Sequence, residues 1–411
     1  QNLQKAKRLF REAVAVVDQL DLGLRKQVWT NYGNCLDQLG RVMEALYAYD
    51  EALLIDSRFP MALGNKAVAV LFFADVSGAH REAMYIKAYQ MLKSVLENKD
   101  LVRFGGIAAK DSFENVSKRI EELFRDKSVL SISLEHPRYD VAHMTAFERF
   151  YTDFCSTYRL FLNFHIHEDE CEASVVDPVF ISLITPINDN ETYYDLAKHI
   201  NQIKEDYGVA RLLLAQSQFR REDLDRISKR TTFVNALDYS VFNIYVGLLK
   251  SAFKEAYNIL DKIAVFINEY FRIGLKQENV QFYSKIDRRC IWREKGEVRE
   301  KILLSRNISL YALYDIYLDF DSGYYKKLQD IRNALVHRRL VVYDSLLADR
   351  GKTDDIQNIG YETMLSEAIR LLQLVKSSII YLINFVQLEE EKKRDPTDLI
   401  PPMYVDTTQF L

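Results

Sequence analysis

Apolar residues recur every three or four positions through most of this chain, and the runs that carry the spacing are long and almost free of Gly and Pro. In residues 194–217, Leu196, Ile200, Ile203, Tyr207, Ala210 and Leu214 share one face. Residues 241–271 form the longest such run, with Ile244, Leu248, Ala252, Ala256, Leu260, Ile263, Ile267 and Tyr270 facing inward and Asp261, Lys262, Asn268 and Glu269 as its polar members. Residues 363–388 predict a closing helix with Met364, Ala368, Leu371, Val375, Ile379, Leu382 and Val386 on one face. Between these, residues 310–318 predict a short helix, and another begins near Tyr324. Residues 144–165 carry Phe147, Phe150, Tyr151, Phe154, Tyr158 and Phe161 at helical spacing, a stripe expected in a core. Strand signals are weak. An alternating run at 128–133 predicts a brief strand or a connector, and 176–187, with Pro178 and Pro186, predicts an extended piece.

The first hundred residues read as helix pairs. Ala6, Phe10 and Ala13 have the spacing A-x3-F-x2-A, and Ala45, Tyr49 and Ala52 repeat it. Trp29, Tyr32, Gly33 and Leu36 precede the second copy and resemble the opening of a tetratricopeptide repeat. Small residues let paired helices approach, Trp29 and Tyr49 fill the space between them, and Gly40 sits at the turn. A third pair is expected over 60–74 and 79–96, where Leu63, Gly64 and Asn65 echo Tyr32, Gly33 and Asn34. Such an array offers a curved surface for a peptide or helix, or else packs on the rest of the chain. From 101 to 126, Gly105 and Gly106 predict a loop leading to a short helix at 113–124. The first pattern lacks its leading helix and the chain starts at Gln1, so the natural N-terminus is expected to be missing.

Composition agrees with an all-α chain: 411 residues contain only 14 Gly and 7 Pro, too few for many tight turns. The expected domains are helical repeats at 1–100, a helical connecting region at 101–235, a helical bundle at 236–392 and an irregular tail at 393–411. A net charge of −4 excludes a global basic footprint, so a nucleic-acid surface would have to be a local patch. Cys35, Cys155, Cys171 and Cys290 are far apart and read as reduced thiols of a cytoplasmic protein. No apolar run reads as long enough to span a bilayer, and no membrane partner is expected. The sequence HIHEDEC at 165–171 holds possible metal ligands but has no second ligand pair, so it reads as a helix end with exposed acids; no metal or cofactor is expected.

Candidate chemistry concentrates at 330–338, DIRNALVHR. Leu328, Ile331 and Leu335 make an apolar stripe, while Asp330, Asn333 and His337 make a polar one beside Arg332. Arg holds a phosphate with a planar fork of donors, and His moves protons near neutral pH. Together they fit RNA cleavage without a metal. Arg followed five or six residues later by His occurs also at Arg138/His143 and Arg159/His165, but only Arg332 is followed directly by Asn. A second candidate surface is the basic run 285–301, where Arg288, Arg289 and Arg293 surround Trp292; basic groups beside an exposed aromatic bind single-stranded RNA, and the alternative is a loop whose cations pair with Glu294, Glu297 and Glu300. The charged stretch 220–230 reads as a solvated face, and the polar run 344–360 as a long loop.

The RNALVH segment resembles the R-N-x-x-x-H motif of the HEPN superfamily, and the surrounding pattern from about 176 to 387 resembles a prokaryotic HEPN family found behind tetratricopeptide repeats. The resemblance implies a helical bundle that dimerises so that two motifs face one RNA cleft. Arg332, Asn333 and His337 would be catalytic, with Asp330 and Arg338 secondary. It implies a metal-independent endoribonuclease, regulated through the repeats and serving as a toxin or in antiphage defence. A non-catalytic adaptor or a nucleotide-binding regulator is the alternative. Some HEPN toxins carry a Tyr two residues after the His; Arg339 stands there, so that mode of control is not expected.

Overall fold

The protein is described from a computed structural model covering residues 2–77, 81–132, 141–163, 172–181, 183, 190–234, 237–344 and 358–393. Among these residues the chain is all-α: fourteen α-helices and two pairs of very short strands. Backbone contacts divide it into two units, residues 1–137 with 307–312, and residues 138–306 with 313–411.

The first unit contains α1 (Asn2–Ala15), α2 (Leu22–Gln38), α3 (Val42–Ile55), α4 (Pro60–Ser77), α5 (Arg81–Leu96) and α6 (Leu101–Leu123). Each packs on the next from α1 through α6. Asp21 starts α2 by accepting the Gly23 and Leu24 amides at 2.9 and 3.1 Å. Gly40 turns the chain into α3 at φ 77°. Tyr49 lies against Gly33, where a Cβ would fall 2.5 Å from the ring, and its hydroxyl donates to Asn34 at 2.9 Å. Trp29 meets Tyr47 edge-on at 6.4 Å. The expected loop at Gly105 and Gly106 is instead a kink inside α6: Gly106 takes φ 70° and the helix continues. Residues 127–131 form a 3-10 turn rather than a strand, because Asp126 captures the Ser128 amide.

The second unit contains α7 (Ala146–Thr157), α8 (Asn190–Gln218), α9 (Glu222–Ser228), α10 (Ile244–Tyr270), α11 (Glu300–Ser305), most of α12 (Ile308–Asp321), α13 (Lys326–His337) and α14 (Tyr361–Lys393). The strands β1 (Arg293–Glu294) and β2 (Glu297–Val298) pair antiparallel, and β3 (Val341–Tyr343) and β4 (Asn358–Gly360) pair in parallel. A Thr145/Glu148 capping box starts α7. That helix stops at Thr157, short of the expected 165, because Arg159 turns left-handed at φ 53°. Asn243 caps α10 by accepting the Val246 amide at 2.9 Å. α10 packs against both α8 and α14 and is buried on most sides, a broader burial than one inward stripe.

All six apolar positions read for α8 and all seven read for α14 are buried. α14 is long and apolar enough to cross a membrane, contrary to the sequence expectation, yet 83% of that apolar window is buried inside the unit, as in a core helix. Arg211 of α8 ties in the preceding segments: its guanidinium forks onto Asp177 at 3.0 and 2.7 Å and reaches the Tyr151 hydroxyl at 2.7 Å and the Leu160 carbonyl at 3.1 Å. The charges at 220–230 pair among themselves, Arg226 with Glu222 and Arg221 with Asp223. The expectations for HIHEDEC, for most of 182–189, for 345–357 and for the tail at 394–411 lie outside the described residues.

Candidate active site

α13 owes its placement to Leu328, Ile331 and Ala334, all buried, which seat one face against α10 and leave the opposite edge open. Leu335, expected in that stripe, is only half-buried. The chain just beyond α13 is pinned. Val342 accepts the Val241 amide at 2.8 Å, Lys250 donates to the Leu340 carbonyl at 2.7 Å, and β3 pairs with β4. His337 therefore sits on a helix end held from both sides.

On the open edge, Arg332 Nη1 lies 3.3 Å from Asn333 Oδ1 and 3.5 Å from His337 Nε2. The three sequence candidates are thus together. Asn333 touches Arg332 through its Oδ1. Asn333 and His337 are exposed and Arg332 is half-buried. Asp330 turns aside to Lys326, one helical turn back, at 2.8 Å. Arg338 leaves the helix in extended backbone and is exposed.

Two groups of α10 back the motif, and sequence reading identified only one of them. The Arg332 guanidinium lies over the ring of Tyr257 at 5.6 Å. One turn along, Asp261 accepts the Phe282 amide at 2.9 Å, and its carboxyl pKa is pushed up by burial, against the lowering effect of that hydrogen bond and of the Arg332 charge. Burial also raises Tyr257, helped by the charge of Asp261 and opposed by that of Arg332. Tyr257, Asp261 and Arg332 therefore form one electrostatic group. Asp261 stood out in sequence as a polar member of an apolar helix; Tyr257 gave no signal. Among the described residues Arg332 Nε is buried with no hydrogen-bond partner, so the protein does not use that donor.

The basic run corrects one expectation. Trp292 is 0% exposed, held edge-on by Phe282 at 5.3 Å and flanked by Tyr314 and Tyr317, so it cannot stack on a base. The surrounding chain is a hairpin, not an open loop, and its core side takes the largest apolar ring available. Arg288 is exposed and Arg289 half-buried. Arg293 faces Asp287 at 3.7 Å and lies over the Tyr317 ring at 5.7 Å. Of the glutamates expected to pair with this run, Glu294 meets Arg299 at 3.6 Å.

An open helical edge presenting a guanidinium, an amide and an imidazole can hold a phosphate and move a proton beside it. No curated protein and no solved structure matches the sequence. Residues 187–389 match the family model described as LA2681-like HEPN, which spans α8 to α14, so this part of the chain is an HEPN-family domain.

Proposed function

We propose that this chain is a metal-independent endoribonuclease of HEPN type, cutting single-stranded RNA or tRNA loops to 2′,3′-cyclic phosphate and 5′-hydroxyl ends. The observation that carries the reading is the approach of Arg332 to His337, 3.5 Å apart on an open helix edge with Asn333 beside them. In the reaction His337 takes the proton of the 2′-hydroxyl, the 2′-oxygen bonds to phosphorus, and the bond from phosphorus to the 5′-oxygen breaks. Arg332 carries the charge that builds on the phosphate oxygens. The departing 5′-oxygen needs a proton, which a single His still holding the first one must relay or a second His must supply. A homodimer that brings two motifs to one cleft meets that need. Asn333, bonded to Arg332, fixes the fork.

In this reading the helix pairs of the first unit are tetratricopeptide-like, bind a protein or peptide, and regulate the cleft. The protein acts in the cytoplasm as a toxin or in antiphage defence. The competing reading is an adaptor or nucleotide-binding regulator that dimerises through the bundle and cuts nothing, since an HEPN-family domain alone fits both.

The test is incubation of purified protein with total RNA and tRNA in excess EDTA, comparing wild type with Arg332→Ala and His337→Ala. Cyclic-phosphate ends made by wild type and lost in both variants support the nuclease. Full-length RNA in every lane, with cells expressing the protein also showing no cleavage, overturns it in favour of the adaptor.

A further inference from the structure

The basic hairpin and the motif helix are joined by a continuous run of rings. Arg293 lies over Tyr317 at 5.7 Å. Tyr317 adjoins Tyr283 at 6.0 Å, and Tyr283 stacks on Phe320 at 6.0 Å and 27°. Phe320 meets Tyr257 edge-on at 6.1 Å, and Tyr257 lies beneath Arg332. Of the three central rings, Tyr317 and Phe320 are buried, whereas Tyr283 is half-exposed. Its hydroxyl lies near Gln329, which sits on α13 one turn before Arg332. It also feels the charge of Arg293. Tyr283 is thus the open aromatic between two arginines, the place that sequence reading gave to Trp292.

The donors around it are poorly used. Arg293 Nε and the Tyr317 hydroxyl are buried without hydrogen-bond partners among the described residues, and the Arg293 ion pair with Asp287 is long. Asp321 and Asp287 are the acidic groups nearby and would oppose an anion. Arg293 and Arg332 stand against them, and Arg332 Nε too is unpartnered. The part-exposed Tyr283 ring, with the Arg293 charge beside it, suits a ligand that brings both a phosphate and a π-face.

We infer that Tyr283 is a nucleotide subsite next to the motif. A base of single-stranded RNA stacks on its ring, Arg332 holds the scissile phosphate, and Arg293 holds a phosphate on the other side of that base. This rests on the RNA reading of the same site and names where the substrate lies. Base recognition here is by stacking, so the subsite selects unpaired RNA over a duplex and discriminates weakly among bases.

The test is binding, not cleavage. A short single-stranded RNA carrying 2-aminopurine is titrated into full-length His337→Ala protein, then into the same protein with Tyr283→Leu, Tyr283→Trp or Arg293→Gln. Tyr283→Leu should weaken binding about tenfold or more, the effect of losing one stacked base. Tyr283→Trp should bind at least as well as its parent, with fluorescence quenched by RNA; it also guards against a packing defect in the Leu variant. Arg293→Gln should reduce the slope of log affinity against log salt by about one. Equal affinity of the Leu variant and its parent overturns the subsite, as does failure of the parent to bind single-stranded RNA. Cleavage by wild type is read separately. Cleavage with no Tyr283 effect removes the subsite and keeps the nuclease. A Tyr283 effect without cleavage keeps the subsite and removes the nuclease.

Discussion

Asp261→Asn should make the protein more stable and less active, with the two effects separable by pH. Asp261 sits on α10, behind the motif helix, and burial raises its pKa above that of an unfolded Asp. The folded state thus holds its proton more tightly. Below the unfolded pKa the group is neutral in both states and costs little. As pH rises through the folded pKa, stability is lost, because a buried carboxyl must ionise. Asn removes that penalty and keeps an oxygen for the Phe282 amide, which Asp261 accepts at 2.9 Å. Each unit of pKa elevation is about 1.4 kcal/mol. For a unit this size every 1 kcal/mol gained raises the melting temperature by about 2–4 °C, so the direction of the change near pH 8 is readable. The gain should shrink on acidification, as the wild-type carboxyl takes up its proton. Activity should move the other way. Asp261 is the negative charge facing Arg332, and without it the guanidinium loses part of what places it over Tyr257. A small displacement of a phosphate-holding group costs up to ~100-fold, and about tenfold in kcat with KM little changed is expected here. Thermal melting across pH and single-turnover cleavage read the two effects. A variant less stable than wild type near pH 8, or a stability gain that grows on acidification, would refute the electrostatic account. Unchanged kcat would leave Asp261 as a structural residue only.

Three further outcomes test the fold. Gly33→Ala places a methyl 2.5 Å from the Tyr49 ring and should cost the first unit about 1–3 kcal/mol, seen as an earlier melting transition; an unchanged melt would mean that α2 and α3 can part freely. Arg211→Met leaves Asp177 half-buried with only the Leu162 amide at 2.6 Å and should destabilise the second unit by about 3–5 kcal/mol, while a loss under about 1 kcal/mol would show that the fork is dispensable. Burial pushes the Cys155 thiol up to about 12, so in native protein near pH 8 it should resist alkylation that proceeds once the chain is unfolded, and rapid native labelling at that site would contradict its burial.

The motif trio was legible because it is local. Positions 332, 333 and 337 meet whenever 326–337 is a helix, and the apolar stripe dictates that helix. Its partners were not legible for the opposite reason. Periodicity says which face of α10 turns inward but not which helix it meets, and Tyr257 lies 75 positions from Arg332 by number. The burial of Trp292 is not legible in sequence, because a basic neighbourhood does not say which way the aromatic ring faces. A two-residue strand on each side of Gly296 reverses the chain instead and turns Trp292 into the core while Arg288 stays out. The β3/β4 pair escaped notice because three residues carry no measurable period, yet it holds the exit of the motif helix. The kink at Gly106 shows the converse: a Gly pair reads as a break, but only one left-handed residue was needed, and the helical packing on both sides carried the helix through.

The adaptor and nuclease readings differ in what the fold asks of α13. Packing on α10 is served by Leu328, Ile331 and Ala334 on the buried face. The open edge gives the fold little: Asn333 and His337 are exposed, their contacts with Arg332 are long, and such contacts contribute at most a few tenths of a kcal/mol. Arg332 has the Tyr257 ring beneath it and the charge of Asp261 to attract it, yet its Nε is buried and unpaired. An adaptor has no use for a guanidinium on this edge, and Arg332→Met keeps the aliphatic packing over Tyr257. A nuclease needs the guanidinium, since the Arg332 Nη1 end of the fork lies on the exposed edge beside Asn333 and His337, where a phosphate can reach it. Arg332→Met therefore separates the two: with the variant folded, survival of the biological effect in cells would be possible only for the adaptor.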